Sequence, residues 1–391
     1  LCVLFHGSNQ PKIISKEGEK FMRKYVKPIS LLLLLMSIVG ILSLSSIAAQ
    51  DMVTVRLQLQ WVAQSQFAGY YAAVAEGYYA EEGLDVTILE GAVEIVPQQV
   101  VAAGGAEFGI AWVPKVLTSR EEGPDLVNIA QVFQRSGTLE VALVDSGIET
   151  VEDFRNKKIG SWLFGNEPEL FAAMRAVDID PEDALQVEIV PQGFDMSQLI
   201  NGDVDAAQAM IYNEYAQVLE QVNPATGELF QPEDLNVINF NDVGTAMLQD
   251  HIFVDGAWLA QDGNEDIAVK FLRASFRGWA FCRDNFDACV EIVLDNGPTL
   301  GEGHMRWQLN EINKLIWPAP AGIGMMDEAL WDQTVTVSLG GQVISAEPAE
   351  GAYRTDLTAA ALESLAADYP ELDLTGESYE PIEVEITPGG E

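Results

Sequence analysis

Residues 60–86 read QWVAQSQFAGYYAAVAEGYYAEEGLDV. The run that leads into them, Val53–Trp61 (VTVRLQLQW), alternates apolar and polar residues, which predicts a strand. AGYYAAVAEGYYAEEG then spaces its apolar residues as a helix does and stops at Gly83. LDVTILEG, Leu84–Gly91, is strand-like again. Strand, helix and strand in succession are the unit from which α/β domains are built. The stretch also crowds Trp61, Phe67, Tyr70, Tyr71, Tyr78 and Tyr79 into one span. Such rings either fill a core or line a cavity for a flat ligand.

The alternation continues outward. VPQQVVAAGGAEFGIAW predicts a helix, a Gly-Gly break and a strand ending near Trp112; VPKVLTSREEG predicts a helix and NIAQVFQ a strand. A similar unit begins near Gly147, with strands at KKIGSW, VEIVPQG and AAQAMI and helices between them. NVINFNDVG reads as a strand leading back to the first unit. Beyond Gln249 the chain is mostly helical, and its last residues read as a mobile acidic tail. We expect a first lobe over 53–139 and 241–375, a second over 140–240, and the tail over 376–391.

Sixty acidic residues against 21 basic ones give a net charge of −39, which repels nucleic acid backbones. Residues 22–51 carry Arg23, Lys24 and Lys27, then an apolar run from Ile29 to Ile47, then small residues, the order of an export signal. Residues 1–48 are therefore read as leader plus signal peptide, either cleaved or retained as an anchor, with the rest exported. Cys282 and Cys289 are too far apart for a bond on one unbroken helix; the RDNF between them reads as a turn that allows a disulfide, the alternative being two reduced core cysteines. The cysteines and histidines lack metal-ligand spacing, and no nucleophile elbow, phosphate loop or zincin motif is present.

The motifs AGYYAAVAEGYYAEEGLDV, AAGGAEFGIAW, GSWLFGNE, DAAQAMIYNEYAQ and NDVGTAMLQD, in that order, resemble the thiamine-pyrimidine-precursor-binding group of ABC-importer solute-binding proteins. Within that group the chain looks most similar to the riboflavin-binding proteins of flavin importers. The resemblance spans about Val53 to Ile344. It implies a two-lobed α/β periplasmic-binding-protein fold of type II, with two crossover strands and C-terminal helices. It also implies a monomer that needs no cofactor and hands its ligand to an ABC permease and its ATPase. The same superfamily contains a pyrimidine synthase with a cysteine-rich iron motif, and no such cluster stands here.

Ligands of open α/β sheets bind beyond the carboxyl ends of strands. Four predicted strands here end in rings: Trp61, Trp112, Trp162 (followed by Phe164) and Tyr212. Offset stacking on such rings suits a flat conjugated ligand. Tyr70 is added as a contact, while Tyr78 and Tyr79 read as packing. Orientation needs polar groups: Gln64, Gln66, Gln134, Asn166 and Asn213 offer donors and acceptors. Glu167 reads as a ligand contact or as a helix-dipole partner, and Glu214 as an acceptor or a solvated face. Asp250 and His251 fall near the second crossover without an assigned role. The expected ligand is riboflavin, then a thiamine pyrimidine precursor, then an alkylsulfonate, because rings rather than a Ser/Thr/Arg anion pocket stand at the strand ends.

Overall fold

The computed structural model describes residues 52–92 and 94–391, so the segment read as an export signal or anchor lies outside the described residues. Each lobe is built on one five-stranded sheet. The first holds β1 (Val53–Gln58), β2 (Leu84–Leu89), β3 (Phe108–Ala111), β4 (Leu126–Gln131) and β10 (His251–Asp255), ordered β2-β1-β3-β10-β4. The second holds β5 (Thr138–Leu143), β6 (Lys158–Ser161), β7 (Glu188–Pro191), β8 (Ala206–Met210) and β9 (Leu235–Asn239), ordered β7-β6-β8-β5-β9. β10 runs antiparallel to both its neighbours, and so does β5. Both are the strands that enter a sheet from the other lobe. The reading of NVINFNDVG is corrected here: β9 pairs with β5 inside the second sheet, and the return to the first sheet is made by the residues before β10.

The two crossing segments touch. Gln249 accepts from the Gly137 amide at 2.8 Å and donates to Thr138 Oγ1 at 2.6 Å, and the Phe133 amide donates to the Asp250 carbonyl at 3.1 Å. Gln249 thus ties the returning segment to the outgoing one through both ends of a single amide.

The helices that position the site are α1 (Ala68–Ala75), α2 (Pro97–Ala102), α3 (Val113–Glu121), α4 (Pro168–Ala176) and α5 (Glu214–Leu219). The C-terminal half adds α6 (Asn264–Asp284), α7 (Phe286–Asn296), α8 (Glu302–Ile316), α9 (Glu328–Gly340) and α10 (Asp356–Asp368). α6 lies on α1, where Gly278 and Gly69 remove the side chains that would hold the helices apart. That contact answers most of the question raised by the opening stretch. Phe67, Tyr70 and Tyr79 are buried; Tyr70 meets Trp279 edge-on, and Tyr79 stacks on Phe271 and bonds Ser275. Tyr78 lies under the Arg277 guanidinium.

α6 ends at Asp284 and α7 begins at Phe286, so the RDNF turn brings the Cα atoms of Cys282 and Cys289 to 5.0 Å and the two form a disulfide. α8 and α9 reach lobe 2, packing on α5 and α4. Residues 376–391, read as a mobile tail, lie along α8: the Ile382 amide donates to Asn310 Oδ1, and the Gly389 amide donates to the Glu220 carbonyl.

Glu169 on α4 is buried, with the Met247 amide donating to Oε1 and Ser136 Oγ to Oε2. Desolvation outweighs these bonds and pushes its carboxyl up to about 7. A pKa raised by folding contributes stability that is complete at low pH and lost as pH rises through the folded value. Glu169→Gln is therefore expected to melt close to the parent at pH 5 and several degrees above it at pH 8.5. Equal differences at both pH values would contradict this.

Candidate functional site

A cavity of about 680 Å³ opens between the lobes at the carboxyl ends of the parallel strands. Lobe 1 supplies Trp61 from the loop after β1, Trp112 directly after β3, and Gln60, Gln64 and Gln66. Lobe 2 supplies Trp162 directly after β6, Phe164 and Asn166 beyond it, and Tyr212, Asn213 and Glu214 after β8. The rule that strand ends face the cleft thus gathers residues distant in sequence around one space.

Not every expected residue reaches it. Tyr70 is enclosed by the α1–α6 contact, because helical periodicity turns it toward Trp279. Gln134 lies beyond the end of β4 at Gln131, and its amide donates to the carbonyls of Gln131 and Met325. Glu167 turns back to accept from the Gly165 amide at 2.9 Å. Asn213 and Glu214 line the cavity, yet their polar atoms are used within the protein. The Asn213 amide nitrogen and the Met210 amide both donate to Glu214, while Asn213 Oδ1 faces His304 and Gln308 on α8. Burial raises the Glu214 carboxyl.

Four other groups matter to which the sequence assigned no role. Phe194, in the loop after β7, sets its ring 4.7 Å from Trp61 across the cleft. The strand-end rule that found Trp162 would have found it too, had it been applied to VEIVPQG. Lys115 lies over the Trp112 ring at 4.7 Å and donates to Asn166 Oδ1 on the other lobe at 2.7 Å. Its ammonium is pushed down to about 8, chiefly by desolvation, against the pull of Asp250 and Glu167. Asp250 accepts from Gln60 Nε2 at 2.5 Å and Gln66 Nε2 at 2.8 Å. Burial pushes its carboxyl up to about 7, opposed by those amides and by Lys115. A lysine three residues after Trp112 at a helix start is a sequence signal for Lys115. Asp250 and Gln60 had none, because their pairing joins residues far apart in the chain.

The loop carrying Phe164 is unusual. Leu163 and Phe164 both take positive φ, 58° and 53°, ahead of Gly165 at 85°. Left-handed backbone costs a non-glycine residue roughly 1 kcal/mol or more. The result holds Phe164 92% exposed beside the cavity, a position no packing gain explains. Trp112 Nε1 is buried, makes no hydrogen bond of ordinary geometry, and lies by the Asp250 carboxyl, whose ionised form it favours. Trp162 Nε1, by contrast, donates to the Gly193 carbonyl. The site therefore combines rings on both walls, one ammonium, one buried carboxylate and side-chain amides. No group of acidic, cysteine or histidine side chains among the described residues is arranged to hold a metal.

Comparison with known proteins bears on this geometry. The formylaminopyrimidine-binding protein of Halalkalibacterium halodurans is 24% identical over 69% of this chain and 80% of its own length. The riboflavin-binding protein RibY of Chloroflexus aurantiacus is 28% identical over 72% of this chain and 78% of its own. A 4-amino-5-hydroxymethyl-2-methylpyrimidine phosphate synthase of Aspergillus parasiticus is 24% identical over 62% of this chain and 70% of its own. Among solved structures, the periplasmic sulfonate-binding protein SsuA of Methylobacillus flagellatus superposes with a TM-score of 0.57 at 15% identity, over 86% of this chain and 99% of that one. The fold is that of periplasmic solute-binding proteins. The NMT1/THI5-like family model matches residues 64–288, more than half of the sequence and most of both sheets, and the chain belongs to that family.

Proposed function

We propose that this protein is the extracytoplasmic solute-binding component of an ABC importer, and that it captures riboflavin between its lobes and delivers it to a membrane permease. The observation that carries the reading is the ring content of the two walls: Trp61 and Trp112 on one, Trp162, Tyr212, Phe164 and Phe194 on the other. A planar heteroaromatic gains about 0.5–1.5 kcal/mol from each ring it stacks against, beyond the burial of its area. The cavity volume lies in the range that encloses ligands larger than a single ring. A thiamine pyrimidine precursor is the second reading, favoured by the relative named for a formylaminopyrimidine. A sulfonate fits less well, because the single cation among the described lining residues, Lys115, is already bonded to Asn166 and no arginine stands beside it there.

Capture proceeds by lobe closure about the paired crossing segments. Phe194 already meets Trp61 and Asn166 Oδ1 accepts from the Lys115 ammonium, so these are the contacts that hold the lobes closed, the ammonium being hydrogen-bonded by the opposite lobe. The closed form then docks on the permease, which the cytoplasmic ATPase drives. Titration with riboflavin, followed by tryptophan emission, tests the ligand. Saturable quenching is expected. Unchanged emission with riboflavin and a response to an aminopyrimidine would replace the first reading by the second.

Phe164 gives a separate check. A ring so exposed contributes little to stability, so Phe164→Ala is expected to leave the melting temperature within about a degree while weakening riboflavin binding about fivefold. Loss of stability without loss of affinity would assign the ring to folding instead.

A further inference from the structure

Asp250 stands immediately before β10 and is 2% exposed. An ionised carboxylate only accepts hydrogen bonds, whereas a primary amide has one donating end and one accepting end. Gln60 and Gln66 must therefore turn their NH₂ groups toward Asp250, as they do at 2.5 and 2.8 Å. Gln66 Oε1 then takes the NH₂ of Gln64 at 2.7 Å. The direction is fixed along the whole chain of groups. At its two ends Gln60 Oε1 and Gln64 Oε1 receive no hydrogen bond from the described residues, and both glutamines line the cavity.

We infer that Asp250 is a positioning residue that sets the hydrogen-bond polarity of the lobe 1 wall: it turns two amide oxygens outward, so the ligand edge that meets this wall carries N–H or O–H donors. The inference rests on the cavity being the ligand site and deepens the reading above. Riboflavin meets the requirement through its imide N–H or its ribityl hydroxyls, and an aminopyrimidine meets it through its exocyclic amine. A sulfonate group, which offers only acceptor oxygens, would set lone pairs against lone pairs. Lys115 is the complementary feature, the cavity's one ammonium among the described lining residues, placed to meet an acceptor.

The test uses three flavins at pH 8.5, where Asp250 is ionised: riboflavin, N3-methylriboflavin with the imide donor blocked, and tetraacetylriboflavin with the hydroxyl donors blocked. At least one blocked flavin is expected to bind the parent about tenfold more weakly than riboflavin, the cost of a lost buried hydrogen bond. In Asp250→Asn, whose amide can accept from one glutamine only while forcing the other to turn, that ratio is expected to fall toward one. A loss caused only by the bulk of the added groups would persist in the variant. Gln64→Met, which removes one outward oxygen and leaves Asp250 in place, is the second variant and is expected to reduce the same ratio. Riboflavin binding that is insensitive to both blocks, or a ratio unchanged in both variants, overturns the inference while leaving the riboflavin reading intact. If riboflavin does not bind, 4-amino-2-methylpyrimidine and its 4-dimethylamino analogue decide it: equal binding of the pair overturns the inference, and preference for the amine supports it. Binding of neither class overturns both.

Discussion

Gly278→Val is expected to unfold the protein at temperatures the parent tolerates, with a loss on the order of 4 kcal/mol or more. A Cβ at this position would sit 2.0 Å from the Gly69 carbonyl oxygen and 3.0 Å from Ala73 Cβ. The obstacle is main chain of α1, which cannot swing aside as a side chain can. Intrinsic helix propensity works the other way, since most residues favour a helix over glycine by up to about 1 kcal/mol. Overpacking of a close helix contact outweighs it. Even Gly278→Ala is expected to destabilise, by roughly 2–3 kcal/mol, and urea unfolding followed by circular dichroism would read both. A neutral Gly278→Ala would mean that the two helices do not approach as closely as described. Because α1 directly follows Gln64, Gln66 and Phe67, displacement of the helix would also disturb one wall of the cavity.

Trp61→Ala is expected to weaken riboflavin binding about fiftyfold, equivalent to roughly 2.3 kcal/mol, which is the range seen when a central aromatic anchor is truncated. Trp61 faces Phe194 from the opposite lobe at 4.7 Å, with the ring planes 42° apart, so its removal costs both a stacking surface and part of the closure contact. Trp61→Phe retains a ring and should recover most of the affinity. Stability should change little in either, because Trp61 is only partly buried. Equal affinity for the parent and Trp61→Ala would remove the ring from the site.

Much of this arrangement was legible in the sequence. The alternation of strands and helices follows from local periodicity, and the strand-end rule converts that order into a list of residues facing a cleft. It placed Trp112 and Trp162 well, because each directly follows its strand. It failed for Gln134, because β4 stops at Gln131 and the boundary of a strand is set by its partners rather than by its own residues. Tyr70, which the rule did not supply, lies on a helix whose two faces differ by a rotation that composition does not reveal. Asp250 was noticed but given no role, since its meaning lies in Gln60 and Gln66, on the far side of the chain. The directions of β5 and β10 have no local trace for a related reason: a strand arriving from the other lobe enters from the opposite end, which is a property of the crossover.

The most direct test of the account is a crystal structure of the protein grown with riboflavin. The isoalloxazine is predicted to lie in the cleft, against Trp61 or Trp162, and to touch side chains of both lobes. A flavin bound elsewhere, or a cleft filled only by solvent at saturating flavin, would contradict it.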